Sequence, residues 1–255
     1  MSNIGLLLAG YGVWGAVVGL VVGFTAIGKG LLGTPGLIVL FGMDAVTAVG
    51  TMAVAGVVMM AAGAYTHYRA GNVQVPIALL FSATSVPASY LAARMARSIN
   101  EIIPLQTVIG VIIVFSVVVL FYRYVILRPA PRELHVTRGH LILSPVVGVI
   151  LGLLMGATSI SGSIIVIVFI LLLKLPSPQA VGTTSAVSMV SLAVASIAHL
   201  QANNVDWLVL GGLVPGVLVG SFIGAKYVNR VPRHALRMGI LVILLAAAVM
   251  LFING

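Results

Sequence analysis

The sequence predicts an all-α polytopic membrane protein made of two inverted repeats, each with about five helical segments and a broken or short helix at its first break. Three observations predict this class: an apolar composition, long stretches with almost no charge, and a residue pattern that occurs twice. Of the 255 residues, 61% are hydrophobic and 7% are charged, against roughly 25% charged residues in a soluble domain. Too few polar side chains are present to cover a water-soluble globule.

The charged residues are divided unevenly between the two signs. The 13 Lys and Arg residues and the 4 Asp and Glu residues give a net charge of +9. Most cations lie in short loops between apolar stretches, which is typical of loops that stay on the cytoplasmic side of a membrane. We therefore expect no nucleic-acid partner. The chain contains no Cys, which excludes disulfides and Cys-ligated metals.

Seven apolar stretches approach or exceed the roughly 20 residues that a helix needs to cross the hydrocarbon. They are 4–28, 45–66, 73–93, 102–122, 180–198, 207–225 and 235–253. No basic segment precedes the first stretch, so we expect no cleaved signal peptide. The expected location is the inner (plasma) membrane, with multiple passes.

Two further apolar stretches do not have the length of one span. Residues 30–43 are too short, and residues 141–173 are too long for one span and too short for two. Each region contains a glycine-rich break, Gly28-Lys29-Gly30 in the first half and Ser161-Gly162-Ser163 in the second. Each predicts a long helix, a break and a shorter helix. Interrupted segments at matching places in two halves indicate the binding site of a secondary transporter.

Matching residues recur along most of the two halves. They are Gly15, Gly19 and Gly23 with Gly148, Gly152 and Gly156; Gly30 with Gly162; Gly50-Thr51 with Gly182-Thr183; His67 with His199; and Asn72 with Asn204. The colinear order predicts a duplication, with repeat one at 1–127, a basic cytoplasmic linker at 128–140 and repeat two at 141–255. An odd number of segments, five, turns the second repeat upside down.

The positions of the cations favour this inverted topology. With the N-terminus outside, only Arg94 and Arg97 fall on the outer side, and the other Lys and Arg residues fall on the cytoplasmic side. This is a strong positive-inside bias. The repeated small-residue ladders predict closely packed helices, with the sliding surface of a moving domain as the alternative.

In the order of these features the chain resembles the sulfite exporter TauE/SafE family over nearly its whole length. The residues that carry the resemblance are Ala26-Ile27-Gly28-Lys29-Gly30-Leu31-Leu32-Gly33-Thr34-Pro35, Ala48-Val49-Gly50-Thr51, Gly156-Ala157-Thr158-Ser159-Ile160-Ser161-Gly162-Ser163 and Ala180-Val181-Gly182-Thr183-Thr184-Ser185. The resemblance implies a secondary transporter, commonly an exporter, for sulfite, for sulfonates such as sulfoacetate, or for related small organic anions.

The charged residues favour an anion independently of the resemblance. Asp44, Glu101, Glu133 and Asp206 lie at segment ends or in the central loop, whereas a cation pathway usually has a carboxylate inside a span. Lys29 is the one cation placed at a break, and a bound anion would offset the cost of burying it. The alternative is that Lys29 extends to the membrane interface and only marks topology.

The predicted substrate-binding residues surround the two breaks and the Gly-Thr pairs, where backbone N–H groups and hydroxyls suit sulfonate or carboxylate oxygens. They are Gly28, Lys29, Gly30, Thr51, Ser159, Ser161, Gly162, Ser163, Thr183, Thr184 and Ser185. The alternative for the hydroxyls is a bond to the backbone of their own helix.

His67 and His199 are candidates for gating or for carrying a proton. The favoured alternative is a helix-end side chain bonded to loop backbone. No metal-binding motif is found in the sequence, and we expect neither a metal nor a cofactor.

The sequence is compatible with three functions. The first is a secondary transporter for a small organic anion. An anion channel of the same fold is the second. A membrane-embedded enzyme or assembly factor is the third, but the nucleophile–base pair or acid dyad that it needs is not apparent. The expected partners are the small anion, membrane lipid and a second copy in a homodimer, because a moving transport domain needs a stationary scaffold.

Overall fold

The fold is taken from a computed structural model, which describes residues 2–25, 29–122, 138–227 and 233–253. These ranges hold helices and no strand. The helices are α1 (Ser2–Thr25), α2 (Thr34–Phe41), α3 (Ala45–Arg69), α4 (Val75–Arg94), α5 (Ala96–Ile102), α6 (Leu105–Phe121), α7 (Arg138–Thr158), α8 (Gly162–Leu171), α9 (Ser177–Gln201), α10 (Trp207–Tyr227) and α11 (Arg233–Ile253). A π-helical turn, Lys29–Gly33, runs directly into α2.

The lengths of the helices confirm a multi-pass membrane protein. Within the described ranges, six helices are long and apolar enough to cross a membrane, or seven if α5 and α6 form one bent span. The six are α1, α3, α4, α7, α9 and α10. Helix α2 has 8 residues and α8 has 10, so both are too short to cross, as the sequence predicts.

One element differs from its prediction. The stretch at 102–122 begins with a bend of 86° between α5 and α6. Pro104 causes this bend, because proline disfavours helical backbone at the preceding residue, and Ile103 is extended (φ −132°, ψ 111°). The Asn100 side chain closes the corner by accepting a bond of 2.9 Å from the Leu105 N–H.

The predicted linker at 128–140 falls largely outside the described residues. Helix α7 begins at Arg138, so the last three residues of the predicted linker are helical. The preceding helix, α6, ends at Phe121.

The short helices α2 and α8 end in the same way, 132 residues apart. Gly42 (φ 63°) follows α2 and Lys174 (φ 50°) follows α8, both in the left-handed region. The next N–H turns back to the helix in each case, from Met43 to the Leu37 carbonyl (3.2 Å) and from Leu175 to the Phe169 carbonyl (2.9 Å). The two halves therefore share local structure as well as sequence.

Helices α3 and α9 also end alike. Asn72 N–H donates to the His67 carbonyl and Asn204 N–H to the His199 carbonyl, each at 2.9 Å. This is the wide return bond of a Schellman cap. It requires a left-handed residue just before, which is Gly71 in one half (φ 69°) and Asn203 in the other (φ 53°).

The glycine ladders pack the first helix of each half against the fourth helix of the other half. A Cβ at Gly15 would collide with the Leu213 carbonyl, and one at Gly216 would collide with the Gly12 carbonyl. Gly19, one turn further along α1, meets Val217, one turn further along α10. The two helices therefore run parallel. Helices α7 and α4 repeat this arrangement, with Gly152 on the Ser85 backbone. Close packing, the predicted role of the ladders, is confirmed.

The equivalent helices α3 and α9 run in opposite directions. Gly50, near the start of α3, lies against Asn204 beyond the end of α9, and Gly182, near the start of α9, lies against Asn72 beyond the end of α3. Parallel repeats would place equivalent helices in the same direction. The antiparallel pair is the arrangement that inverted repeats require, and the orientation of the repeats relative to the membrane stays a prediction.

Candidate functional site

The two breaks lie directly against each other. A Cβ on Gly30 would be 2.6 Å from the Ile160 Cα and 2.8 Å from the Ser159 carbonyl oxygen. Real side chains do not tolerate such approaches to backbone, so only glycine allows this contact. The spacing of the sequence pattern places both breaks at equivalent positions, and the fold brings them together.

A buried hydroxyl pair joins the two breaks next to this contact. Thr34 Oγ1 and Ser159 Oγ are 2.8 Å apart, and both side chains are buried. Ser159 is one of the predicted site residues and has left-handed backbone (φ 56°). Thr34 was not predicted as a site residue, although its place four residues after Gly30 in the first break is a signal that could have found it.

The second break is held partly by its own side chains. Thr158 ends α7, and its hydroxyl donates to the Leu154 carbonyl (2.6 Å) and accepts from the Ile160 N–H (3.3 Å). Ser161 then occupies the N-cap position of α8 without making a capping bond. Ser161 is 1% exposed, and its buried hydroxyl has no hydrogen-bond partner. A buried hydroxyl in this state is a ready donor to a ligand oxygen.

Part of the predicted site cannot be placed. Gly28 lies outside the described residues, and so do the side chains of Lys29 and Ser163. The backbone of Lys29 begins the π-helical turn, and Gly162 and Ser163 begin α8. The chain therefore starts a short helix from each of the two breaks.

Thr51 and Thr183 each accept a hydrogen bond from the other half of the chain. Thr51 Oγ1 accepts from the Asp206 N–H, and Thr183 Oγ1 accepts from the Gln74 N–H, each at 3.0 Å. Each threonine thus fixes the loop that follows the equivalent helix of the other half. Their hydroxyl hydrogens remain available to a further acceptor, because a hydroxyl both donates and accepts.

The next two predicted hydroxyls on α9 differ in their bonding. Ser185 Oγ donates to the Val181 carbonyl of its own helix (3.0 Å), which is the common behaviour of serine in membrane helices. Thr184 Oγ1 is buried and has no partner. Of this pair, Thr184 is the better placed to donate to a ligand.

The two predicted histidines lie in unequal surroundings. His199 is fully buried, and its Nε2 is 3.0 Å from the Gly156 carbonyl oxygen. A carbonyl only accepts, so this nitrogen carries the proton, and Nδ1 has no partner. His67 is half-buried in the last turn of α3.

Beside His199, Arg97 Nε donates to Asn204 Oδ1 at 2.7 Å, a contact that the sequence pattern does not indicate.

Metal binding has no support in the described part of the chain. No group of three or more His, Asp or Glu side chains lies close enough there to hold an ion. The chemistry available at the breaks is hydrogen-bond donation from hydroxyls and from the first N–H groups of short helices.

Comparison with known proteins identifies the class of this membrane protein. The description "Sulfite exporter TauE/SafE" belongs to the family whose sequence profile matches residues 11–251. The chain belongs to this family of membrane transporters, as the repeated breaks predict.

Two curated relatives come from Bacillus subtilis (strain 168). One is named "Probable membrane transporter protein YdhB" and is 27% identical over 226 residues, covering 88% of this chain and 91% of the relative. The other is named "Probable membrane transporter protein YjnA" and is 29% identical over 231 residues, covering 85% of this chain and 90% of the relative. No solved structure matches the chain significantly.

Proposed function

We propose that this protein is a secondary transporter that exports a small anion across the inner membrane, either an organic anion such as the sulfonate sulfoacetate or inorganic sulfite. The anion binds between the two glycine-rich breaks. The observation that carries the proposal is the direct contact of the breaks at Gly30 and Ser159, because two interrupted helices that meet inside the fold form the usual binding site of this class of transporter.

The hydrogen-bond donors at the second break support an anionic ligand. The Ser161 hydroxyl is buried without a partner, and it lies where α8 begins. The first N–H groups of a helix have no acceptor within the helix, and the helix dipole is positive at this end. Oxygen atoms of a sulfonate or carboxylate are the acceptors that these groups lack.

The distribution of charge supports the same ligand. Lys29 begins the turn at the first break. Among the described acidic residues, Asp44 is the N-cap of α3, Glu101 is exposed on α5, and Asp206 immediately precedes α10. No described acidic residue therefore lies within a break, so no described carboxylate would repel an anion there.

The opposite directions of α3 and α9 support alternating access. Inverted repeats allow the two halves to exchange conformations about a pseudo-two-fold axis, which opens the site first to one side and then to the other. Close backbone packing of the glycine ladders permits such a shift between rigid helices, because few side chains have to be displaced.

Counterflow in proteoliposomes tests the proposal. Purified protein is reconstituted with an unlabelled anion inside and a trace of the same anion, radiolabelled, outside. Sulfoacetate, sulfite, isethionate and acetate are tested in turn, and zwitterionic taurine is tested as a competitor. We expect transient accumulation of label that saturates with concentration. Linear flux without accumulation would assign the protein to anion channels instead, and no flux with any of these anions would overturn the proposal.

A further inference from the structure

One face of α9 carries buried hydroxyls that the binding site at the breaks does not fully account for. Thr184, Ser188 and Ser191 are spaced by four and three residues, which places them on the same side of a helix. All three are 2% exposed or less. We call these three residues the hydroxyl face of α9.

The hydroxyl face lies against further hydroxyls on α4. Ser191 Oγ is 2.8 Å from Ser85 Oγ, and Ser89 Oγ donates to the Ser191 carbonyl at 3.1 Å. The interface between α4 and α9 therefore contains several buried hydroxyls.

Two hydroxyls of this face have no partner at all. Thr184 Oγ1 and Ser188 Oγ are buried and unbonded. Elsewhere on the same helix, Ser185 and Ser196 donate to the carbonyls four residues earlier, at 3.0 and 2.7 Å. Thr184 and Ser188 lack the bond to their own helix backbone that serine and threonine usually make in a membrane helix. A buried hydroxyl without a partner lowers the free energy of unfolding.

The equivalent face of α3 is not polar. Positions 132 residues earlier hold Met52, Gly56 and Met59. Met52 and Thr184 are equally buried, at 2% exposed each. The polarity of α9 is thus not a packing requirement common to both halves, and its presence in only one half points to a ligand.

We propose that the hydroxyl face of α9 is a second contact site for a small oxyanion and its water, and that the methionine-lined face of α3 excludes both. This inference rests on the proposed function in taking an oxyanion as the ligand. Hydroxyls donate to oxyanion oxygens without adding charge, so they hold an anion less strongly than a cation would, as a passage requires.

Cysteine labelling tests this inference directly, because the chain contains no Cys. The full chain carrying Thr184→Cys, Ser188→Cys or Met52→Cys is reconstituted and treated with sulfonatoethyl methanethiosulfonate, an impermeant sulfonate reagent. A matched reaction uses the cationic trimethylammonium reagent. Each rate is divided by the rate of the same reagent with a free thiol in solution. We expect the normalised rate of the sulfonate reagent at positions 184 and 188 to be about tenfold higher than that of the cationic reagent, and the Met52→Cys variant to react with neither.

Labelling at 184 and 188 that is no faster than at 52, or that is equally fast with both reagents, would overturn the inference. Labelling does not depend on transport, so the two proposals fail separately: counterflow without labelling rejects the hydroxyl face, and labelling without counterflow rejects the proposed function.

A second pair of variants guards against misfolding of the Cys variants. Ser188→Ala removes an unbonded hydroxyl, so the melting temperature should hold or rise while the counterflow rate falls several-fold. Ser196→Ala, the matched control, removes a hydroxyl bonded to its own helix and should leave the counterflow rate unchanged. A Ser188→Ala variant that transports at the wild-type rate would count against the hydroxyl face.

Discussion

Gly30 is the residue at which the backbone of the first break touches the backbone of the second. Its neighbours are backbone atoms of Ser159 and Ile160, which cannot move aside as a flexible side chain can. A methyl group added here must separate the breaks, and overpacking of this kind costs about 1–3 kcal/mol.

We therefore expect Gly30→Ala to lower the melting temperature and to abolish anion binding together. Thermal melts with and without sulfoacetate measure both effects. Gly211→Ala is the matched control, because a Cβ at Gly211 meets nothing within 4 Å, and alanine favours a helix over glycine by about 0.5–1 kcal/mol. A Gly30→Ala variant as stable as Gly211→Ala would contradict the close contact of the breaks.

We propose that Lys29, whose backbone begins the turn at the first break, supplies a positive charge to the anion. Lys29→Met keeps the apolar stem and removes the ammonium group. The expected loss of anion affinity is about 1.5–3 kcal/mol, the scale of a hydrogen bond to a charged group, or roughly one to two orders of magnitude in Kd. Isothermal titration with sulfoacetate measures it.

Lys174→Met is the control for Lys29→Met, since Lys174 is an exposed cation beyond the end of α8. Its substitution should leave the Kd unchanged. We do not expect Lys29→Arg to retain full affinity, because a planar guanidinium directs its donors differently from a compact ammonium. Wild-type transport by Lys29→Met, with an altered orientation in the membrane, would make Lys29 a topology marker.

Helices α3 and α9 each contact the opposite half through a Gly-Thr pair near the start of the helix. Glycine lets the loop approach, and the following threonine accepts a loop N–H, from Asp206 to Thr51 and from Gln74 to Thr183. Valine keeps the shape of threonine and leaves the loop N–H without an acceptor, at a cost of about 1–3 kcal/mol.

Thr51→Val and Thr183→Val should therefore lower the free energy of unfolding by similar amounts. Each carries an equivalent bond, so a large difference between the two variants would show that the contacts are not equivalent. Reversible denaturation in mild detergent measures the stability. Anion titration of the same variants tests whether these hydroxyls also contact the substrate, in which case the Kd rises as well.

The glycine-rich breaks show what the sequence determines about single elements and what it does not. Short helices after both breaks follow from segment length and glycine, and the structure confirms them. The corner between α5 and α6 was not predicted, although Pro104 marks it, because apolar composition continues across the corner and obscures a change of direction.

The whole molecule presents a large apolar outer surface, with exposed residues such as Leu6, Val118, Ile142, Phe222 and Val242 on different helices. This surface suits lipid or a second copy of the chain. Light scattering in mild detergent and native mass spectrometry from nanodiscs should both report a homodimer. A monomer in both media would contradict the expected homodimer.

The sequence by itself determined the membrane class, the duplication, the family and the places of the two breaks. These depend on composition, on segment length and on spacing along the chain, which are local or periodic properties. Only the tertiary structure decided which groups meet. Thr34 and Ser159 are 125 positions apart and Thr51 and Asp206 are 155 apart, so their pairing depends on how whole helices pack. The same packing leaves Ser161, Thr184 and Ser188 without partners, because hydrogen bonding is fixed by the neighbours that the fold supplies and not by residue type.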